Sequence, residues 1–151
     1  MAKYIFPVLF LVIAIFGYRV FIFSPPPVGL ETRHLMVNGH DLTVEIAETP
    51  YAHERGLSGR ASLAADHGML FLFPESDVYP FWMQDMHFPL DIIWLQDNTV
   101  VDLITLPAPT DRVNIPLATP RAEADMVLEI PAGAAKEFEI SIGTHIDVLT
   151  K

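Results

Sequence analysis

One apolar stretch, from Gly68 to Leu95, constrains the fold of this chain more than any other part of the sequence. It holds both tryptophans and four of the ten phenylalanines. Its apolar runs are short, rich in aromatic and β-branched residues and separated by prolines, which is typical of buried strands. Polar side chains within it must be paired, protonated or hydrated, because an unpaired buried charge is costly. The three apolar runs are Met69–Phe73, Tyr79–Met83 and Leu90–Leu95. We therefore expect the core and any functional site to lie together.

The segment before this stretch predicts a hairpin followed by a short helix. Asn38-Gly39 is a strong signal for a two-residue turn, here between strands His34–Val37 and His40–Ile46. Thr49-Pro50 combines a helix N-cap with a proline at the first helical position, and the helix should end near Gly56. Together with the central runs, these elements predict a mainly β (α+β) domain. We expect a compact, partly closed antiparallel β-barrel or sandwich with one or two short helices.

The segment after the central stretch predicts a second tight turn at Asp97-Asn98, and this turn fixes the expected surroundings of Asp91. An unbroken register would place Asp91 on one face with Ile93, Leu95, Val100, Asp102 and Ile104. A lone carboxylate is untenable there, so we hypothesise that Arg60 pairs with it. The remaining sequence predicts a long loop, a strand, a helical turn or two and a final strand, at Pro107–Pro120, Asp125–Ile130, Ala132–Phe138 and His145–Leu149.

The chain as a whole divides into a membrane anchor, a linker and one domain. Ile5–Phe23 is apolar apart from Tyr18 and Arg19, and as a helix it would reach about 28 Å, close to the ~30 Å hydrocarbon core. No A-x-A-like cleavage site follows, which favours an N-terminal transmembrane helix over a signal sequence. We expect residues 1–23 to anchor the chain in the cell membrane in a single pass. Residues 24–31 would form a proline-rich linker and residues 32–151 a single β-rich domain, extracytoplasmic because the leading tail is short.

The charge and cysteine content exclude several classes of function. From Ser24 onward there are seven basic and nineteen acidic residues, a net charge of −12. This balance argues against nucleic-acid binding, which needs a basic face. The chain has no cysteine, which excludes disulfides, thiol catalysis and zinc–thiolate sites. No cofactor is expected. The expected partners are the membrane, through the N-terminal helix, and a small molecule or protein that the sequence does not identify.

Two kinds of reactive site can be drawn from the polar residues, and both patterns are weak. Asp85, His87 and Asp91 offer imidazole and carboxylate ligands for a divalent metal, but Pro89 interrupts the strand and no metal is expected. Carboxylate pairs, Asp85 with Asp91 or Asp91 with Glu129, could serve glycoside hydrolysis. Acidic chains contain such pairs by chance. The aromatic residues and methionines could line an apolar pocket or simply form the core.

Six short motifs follow one another along the chain: Glu45–Ala47, Arg55–Arg60, Gly68–Phe71, Phe81–Met83, Pro89–Asp91 and Leu128–Gly133. In this order they resemble the domain of unknown function 192 family. The resemblance runs from Leu35 to Val148 and implies a compact β-rich domain, frequently secreted or tethered, with no established activity. The resemblance implies that Arg60, Asp91 and Glu129 match the family's polar site residues. Trp82 and Met83 accompany them in the matching motifs. The family has Lys-Asn-Thr where this chain has Gln84-Asp85-Met86, which makes an anionic ligand less favoured here.

These observations predict a membrane-tethered binding module for a small ligand or a protein. Two alternatives stay open: a hydrolase that uses Asp91 or Glu129, and a purely structural or assembly protein. No catalytic residue can be assigned. The candidate ligand-binding residues are Arg60, Trp82, Met83, Asp85, His87, Asp91 and Glu129.

Overall fold

The computed structural model describes residues 29–149. The predicted membrane anchor and most of the predicted linker lie outside the described residues. Within residues 29–149, no helix is both long enough and apolar enough to span a bilayer. The described elements are β1 (Thr32–Val37), β2 (His40–Ala47), α1 (Pro50–Arg55), β3 (His67–Asp77), β4 (Phe81–Trp82), β5 (Leu90–Gln96), β6 (Thr99–Leu106), β7 (Leu117–Ala118), β8 (Ala124–Pro131), α2 (Ala134–Glu137) and β9 (Asp147–Leu149).

Seven strands form one sheet in the order β6-β5-β8-β3-β2-β1-β9, and β4 pairs separately with β7. The predicted mainly β class is confirmed, as a sheet that curls into a half-barrel. One pair departs from the predicted antiparallel arrangement, since β2 and β3 run parallel and α1 lies in the crossover between them. Parallel neighbours need such a crossover connection, whereas antiparallel neighbours can be joined by a tight turn.

The C-terminal segment reaches both edges of the sheet. β9 pairs with β1 at one edge. Just before β9, the chain bonds to the β5–β6 hairpin at the other edge, where the Val100 amide donates to the Thr144 carbonyl at 2.9 Å and the Gly143 amide donates to the Val100 carbonyl at 2.8 Å. These bonds join the two edges at one end of the half-barrel.

Both tight turns and the first helix form where the sequence predicts them. The Asn38-Gly39 and Asp97-Asn98 pairs have positive φ at both residues, as a two-residue hairpin turn of this type requires. The Thr49 side chain accepts a hydrogen bond from the Ala52 amide and caps α1, which ends at Gly56. Local sequence chemistry is sufficient to specify these elements.

The strands do not all end at the prolines where the sequence predicts that they end. β3 continues through Pro74 to Asp77, and its pairing with β8 becomes irregular after Leu72, so the proline sits where the ladder is interrupted. The predicted run Tyr79–Met83 supplies only the two residues of β4. The predicted loop 107–120 contains β7, which pairs with β4.

The predicted surroundings of Asp91 are wrong on one side because β6 carries a bulge. The register of β5 with β6 shifts between Trp94 and Leu95, so that Trp94 faces Asp102 while Leu95 faces Val100. One extra residue reverses the faces of everything beyond it. Asp91 therefore lies opposite Thr105, and Asp102 and Ile104 point to the other side of the sheet.

Apolar side chains cover both faces of the sheet. The first apolar cluster includes Leu35, Val44, Ile93 and Leu128 and packs against α2 and the C-terminal segment. The second apolar cluster packs on the opposite face, beneath α1 and residues 81–88, and includes Met69, Phe71, Met83, Ile92, Trp94 and Val127. β5 contributes to both clusters, as its apolar residues on both faces predict.

Candidate ligand-binding cleft

An open cleft of about 730 Å³ lies on the side of the domain that the second apolar cluster supports. One wall is α1 and the loop that follows it, and the other is formed by residues 82–87 and Arg112. Its volume falls in the range of small-ligand sites, about 300–1,000 Å³. The residues that line it are Tyr51, Glu54, Arg55, Ser58, Gly59, Trp82, Gln84, Asp85, His87 and Arg112.

Two large aromatic side chains are exposed in the cleft. Trp82 is 51% exposed and Tyr51 is 68% exposed. Trp82 points outward because it alternates along β4 with Phe81, whose ring packs edge-on against Phe71 and Trp94 in the second apolar cluster. Exposed aromatic rings of this size offer flat, rigid contact surfaces that few other surface residues provide.

The cleft also holds two arginines that form no salt bridge within residues 29–149. The other described arginines bind carboxylates: Arg33 binds Glu31 and Glu48, Arg60 binds Glu45 and Arg121 binds Asp102. Within the cleft, Arg55 donates to the Tyr51 hydroxyl at 3.1 Å. Arg55 and Arg112 thus bring positive charge into an acidic domain, beside the carboxylates Glu54 and Asp85.

Two hydrogen bonds to backbone carbonyls fix the two walls relative to each other. The Ser58 hydroxyl donates to the Gln84 carbonyl at 2.8 Å, and the Gly59 amide donates to the Asp85 carbonyl at 2.9 Å. Asp85 has a φ of +54°, a conformation that Asp tolerates better than most residues. The wall after α1 is therefore tied to the segment that carries Trp82.

The turn that presents Arg112 is held by the neighbouring Asp111. Its Oδ1 accepts hydrogen bonds from the Val113 amide at 2.8 Å and from the Asn114 amide at 2.7 Å. Donation by Asn114 and Val113 lowers the pKa of Asp111 below its usual value. This turn and the β4–β7 pair place the loop after β6 against Trp82.

Three of the predicted site residues, Trp82, Asp85 and His87, line the cleft. Met83 is fully buried in the second apolar cluster. Tyr51, Arg55 and Arg112 also line the cleft and are not among the residues predicted from the sequence. Arg112 lies in the predicted long loop Pro107–Pro120, and the length of this loop is the signal in the sequence that points to it, because loops of this length are often binding loops.

Asp91 lies on the other face of the sheet and holds α2 in place. Its Oδ1 accepts from the Thr105 hydroxyl at 2.6 Å, and its Oδ2 accepts from the Gly133 amide at 2.8 Å and the Ala135 amide at 2.9 Å. The hypothesis that Arg60 pairs with Asp91 is wrong. The bulge and the position of α2 supply Asp91 with a hydroxyl and two backbone donors instead.

Arg60 forms a two-pronged ion pair with Glu45 on β2. Its Nη1 lies 2.5 Å from Oε1 and its Nη2 lies 2.7 Å from Oε2 of Glu45. The hydrogen bond from Arg60 lowers the pKa of Glu45, against the opposing effect of partial burial. The pair anchors the end of the loop after α1 to the sheet.

Glu129 on β8 is buried on the same face as the second apolar cluster, between Met69 of β3 and Ile92 of β5. Its Oε2 has no hydrogen-bond partner within the described part of the chain. Burial raises the pKa of Glu129 to about 8, while the charge of Arg60 acts in the opposite direction. The carboxyl is thus held in its neutral, protonated form at pH 7.

The reactive sites drawn from the sequence are not assembled as pairs or triads. Asp91 and Glu129 point to opposite faces of the sheet, because Asp91 faces Ile130 across the β5–β8 ladder and Glu129 faces Ile92. Asp85 and His87 line the cleft and Asp91 does not. Between residues 29 and 149, no three His, Asp or Glu side chains cluster closely enough to hold a metal ion.

These features define a mainly β half-barrel domain with an open, aromatic and arginine-containing cleft. The chain belongs to the domain of unknown function 192 family, described as Uncharacterized ACR, whose profile matches residues 33–148. The resemblance inferred from the six motifs is thereby confirmed.

Two solved structures share the fold at 30% sequence identity and a TM-score of 0.72. One is a protein of Sinorhizobium meliloti 1021, provisionally named a transcription regulator, which matches over 82% of this chain and 98% of that one. The other is a protein of unknown function from Novosphingobium aromaticivorans DSM 12444, matched over 81% of this chain and 89% of that one. No curated protein matches the chain.

Proposed function

We propose that the domain is a binding module whose ligand lies in the cleft between Tyr51 and Trp82. The observation that carries the proposal is the convergence of two exposed aromatic rings with Arg55 and Arg112 in one concave site. A few polar groups that converge beside apolar contact surface are the usual composition of a small-ligand site.

The ligand class follows from the charge of the side chains. Arginine forks bind carboxylate and phosphate groups, and aromatic faces bind planar or apolar groups. We infer a small molecule with one anionic group and one planar apolar part. Gln84 and Asp85 alone argued against an anion, but the fold places Arg55 and Arg112 in the same cleft. A nucleic acid is not the proposed ligand, because the chain from Ser24 onward carries a net charge of −12.

Matched probes test the ligand class. The full chain is titrated with 2-naphthoate and with its neutral amide, and binding is followed by isothermal titration calorimetry, which needs no reporter residue. We expect the carboxylate to bind more tightly than the amide. Arg112→Ala should remove that preference and Trp82→Ala should weaken both probes, whereas the control Arg33→Ala, which lies outside the cleft, should change neither.

Two results would reject this proposal. Equal binding of carboxylate and amide would show that the arginines do not select the ligand. Binding that survives both cleft substitutions would place the site elsewhere. If neither probe binds at all, a small anionic aromatic molecule is not the ligand, and a protein partner becomes the occupant to test.

We also propose that residues 1–23 tether the domain on the outer side of the cytoplasmic membrane. The support is the apolar segment Ile5–Phe23, which is long enough to span a bilayer. Because the chain has no cysteine, single cysteines at Ser24 and Lys151 are unique labels. Both should react with an impermeant thiol reagent in intact cells whose outer layer is permeabilised, and labelling only after lysis would reverse the orientation.

A further inference from the structure

Glu129 is a buried carboxyl that lies beneath the wall of the cleft rather than in it. Glu129 is only 5% exposed, and its Oε2 has no hydrogen-bond partner within the described residues. A buried polar atom without a partner is rare in native proteins and calls for a physical explanation. Apolar packing alone does not explain it, since a glutamine or a leucine would fill the same space without a titratable group.

The free oxygen of Glu129 lies close to the start of the loop that follows α1. A Cβ atom placed on Gly56 would lie 3.9 Å from Oε2 of Glu129 and 3.3 Å from Cζ of Phe71. Gly56 also has a φ of +48°, in the region that favours glycine. The start of the loop therefore lies within van der Waals distance of the carboxyl, and it packs tightly against the ring of Phe71.

The charged and titratable groups around Glu129 leave one cation available to it. Arg60, at the end of the same loop, is the group whose charge favours the ionised form of Glu129, and it is bound to Glu45 on β2. His67, at the start of β3, bonds to Asp66, and its interaction with Glu45 is a minor cause of the lowered pKa of Glu45. His53 on α1 bonds to the Ala47 carbonyl and packs on Phe71 and Phe73. β5 presents the apolar Ile92.

We propose that Glu129 is a proton-operated switch for the loop Gly56–Arg60. With the proton in place, the neutral carboxyl stays buried and Arg60 stays on Glu45. When the proton leaves, an unpaired carboxylate cannot remain in apolar surroundings, so the Arg60 guanidinium leaves Glu45 and pairs with Glu129. The protonation state of Glu129 thus determines whether Arg60 pairs with Glu45 or with Glu129.

The switch acts on the cleft because the same loop forms one of its walls. Ser58 and Gly59 lie between Gly56 and Arg60, line the cleft and bond to the Gln84 and Asp85 carbonyls. Movement of Arg60 towards Glu129 loosens these two bonds. This regulatory role rests on the function proposed above only where a ligand is concerned, since the loop movement itself requires no ligand.

The test follows the loop with and without the titratable group. Hydrogen exchange of the amides of residues 56–60 is measured in the full chain from pH 6 to 9 and corrected for the intrinsic rate. Because the pKa of Glu129 is about 8, its ionised fraction rises about tenfold from pH 7 to pH 9. We expect a corresponding loss of loop protection in the wild type and constant protection in Glu129→Gln.

Two further measurements keep the proposal falsifiable if Glu129→Gln does not fold. The wild type should show the infrared carbonyl band of a buried, protonated carboxyl at pH 6, and this band should disappear above pH 8. Glu45→Gln frees Arg60 for Glu129, so the midpoint of the loop transition should move to a pH about 1 lower. Absence of the band at pH 6, equal exchange in wild type and Glu129→Gln, or an unchanged midpoint in Glu45→Gln would overturn the switch.

The pH dependence of 2-naphthoate affinity distinguishes the switch from the proposed binding function. If 2-naphthoate binds, its affinity should change between pH 6.5 and pH 9 in the wild type and stay constant in Glu129→Gln. If the loop transition occurs but 2-naphthoate does not bind, the proposed ligand fails and the switch stands. If 2-naphthoate binds with the same pH dependence in both proteins, the switch fails and the cleft stands.

Discussion

Asp91 and Glu129 are both buried carboxyl residues, on neighbouring strands of one sheet, yet their surroundings are opposite. Asp91 receives three hydrogen bonds, from Thr105, Gly133 and Ala135. Glu129 lies on the other face, and its Oε2 has none within the described residues. A carboxyl whose oxygens accept several hydrogen bonds stabilises the fold through those bonds, whereas a buried carboxyl without donors keeps its proton. The same side-chain chemistry thus serves architecture on one face and leaves a titratable group on the other.

The largest expected effect is on the architectural side of this comparison. Asp91→Ala leaves the Gly133 and Ala135 amides without their acceptor and should lower the free energy of unfolding by about 3–5 kcal/mol. Denaturant melts at pH 7 measure the loss. The exposed Glu75→Ala serves as control and should change stability by less than about 0.5 kcal/mol. A cost for Asp91→Ala no larger than that of the control would show that the three bonds do not hold α2.

The packing of the loop after α1 against Phe71, beside Glu129, should be the next most sensitive feature. Gly56→Ala adds a methyl group 3.3 Å from Phe71 at a residue with positive φ, and should destabilise the domain by about 1–3 kcal/mol. Gly59→Ala is the matched control, since Gly59 also has positive φ but its Cβ would meet nothing within 4 Å. Equal losses in the two variants would mean that backbone strain, and not the close approach to Phe71, limits residue 56.

A double-mutant cycle on Arg60 and Glu45 tests where the arginine is bound. The pair is about one-third exposed, so screening by solvent limits its coupling energy to about 1 kcal/mol. The parallel cycle of Arg60 with Asp91 should give a coupling near zero, because Asp91 lies on the other face of the sheet. A larger coupling to Asp91 than to Glu45 would contradict the position of Arg60.

The smallest effect on stability should come from the cleft. Trp82→Ala removes a half-exposed ring and should cost about 1 kcal/mol or less. The buried Trp94→Ala should cost about 3–5 kcal/mol, since its ring is in the second apolar cluster. Thermal or denaturant melts of both variants decide this. A large loss at Trp82 would make its ring part of the core instead of a binding surface.

The sequence predicted the local elements of this domain and one side of its cleft. Turns such as Asn38-Gly39 and the cap at Thr49 are encoded by neighbouring residues, so short-range rules suffice for them. The site residues Trp82, Asp85 and His87 were found because polar and aromatic residues stand out in the central apolar stretch.

The rest depends on pairings that short-range patterns do not encode. The bulge in β6 turns Asp102 away from Asp91, and no periodicity signals a single inserted residue. Glu45 becomes the partner of Arg60 only through the parallel crossover from β2 to β3. Arg112 reaches the cleft through the short β4–β7 pair, whose strands of two residues are below the length that a pattern can reveal.

The pH dependence of stability, in wild type and in Glu129→Gln, tests the contrast between the two carboxyls most directly. The pKa of Glu129 is raised from 4.5 to about 8 by burial, so between these values the folded protein holds a proton that the unfolded chain has released. The stability contributed by the neutral carboxyl is fully present below about pH 4.5 and is lost as pH rises towards 8. Since a tenfold change in proton affinity between the folded and unfolded states corresponds to about 1.4 kcal/mol, the total loss should be on the order of a few kcal/mol.

We expect the free energy of unfolding of the wild type to fall relative to that of Glu129→Gln between pH 5 and pH 8, and the difference to level off at higher pH. Denaturant melts at half-unit steps of pH give both curves, and their difference isolates Glu129 from all other titrating groups. Parallel curves across this range would show that Glu129 binds no extra proton in the folded state, and would contradict the account.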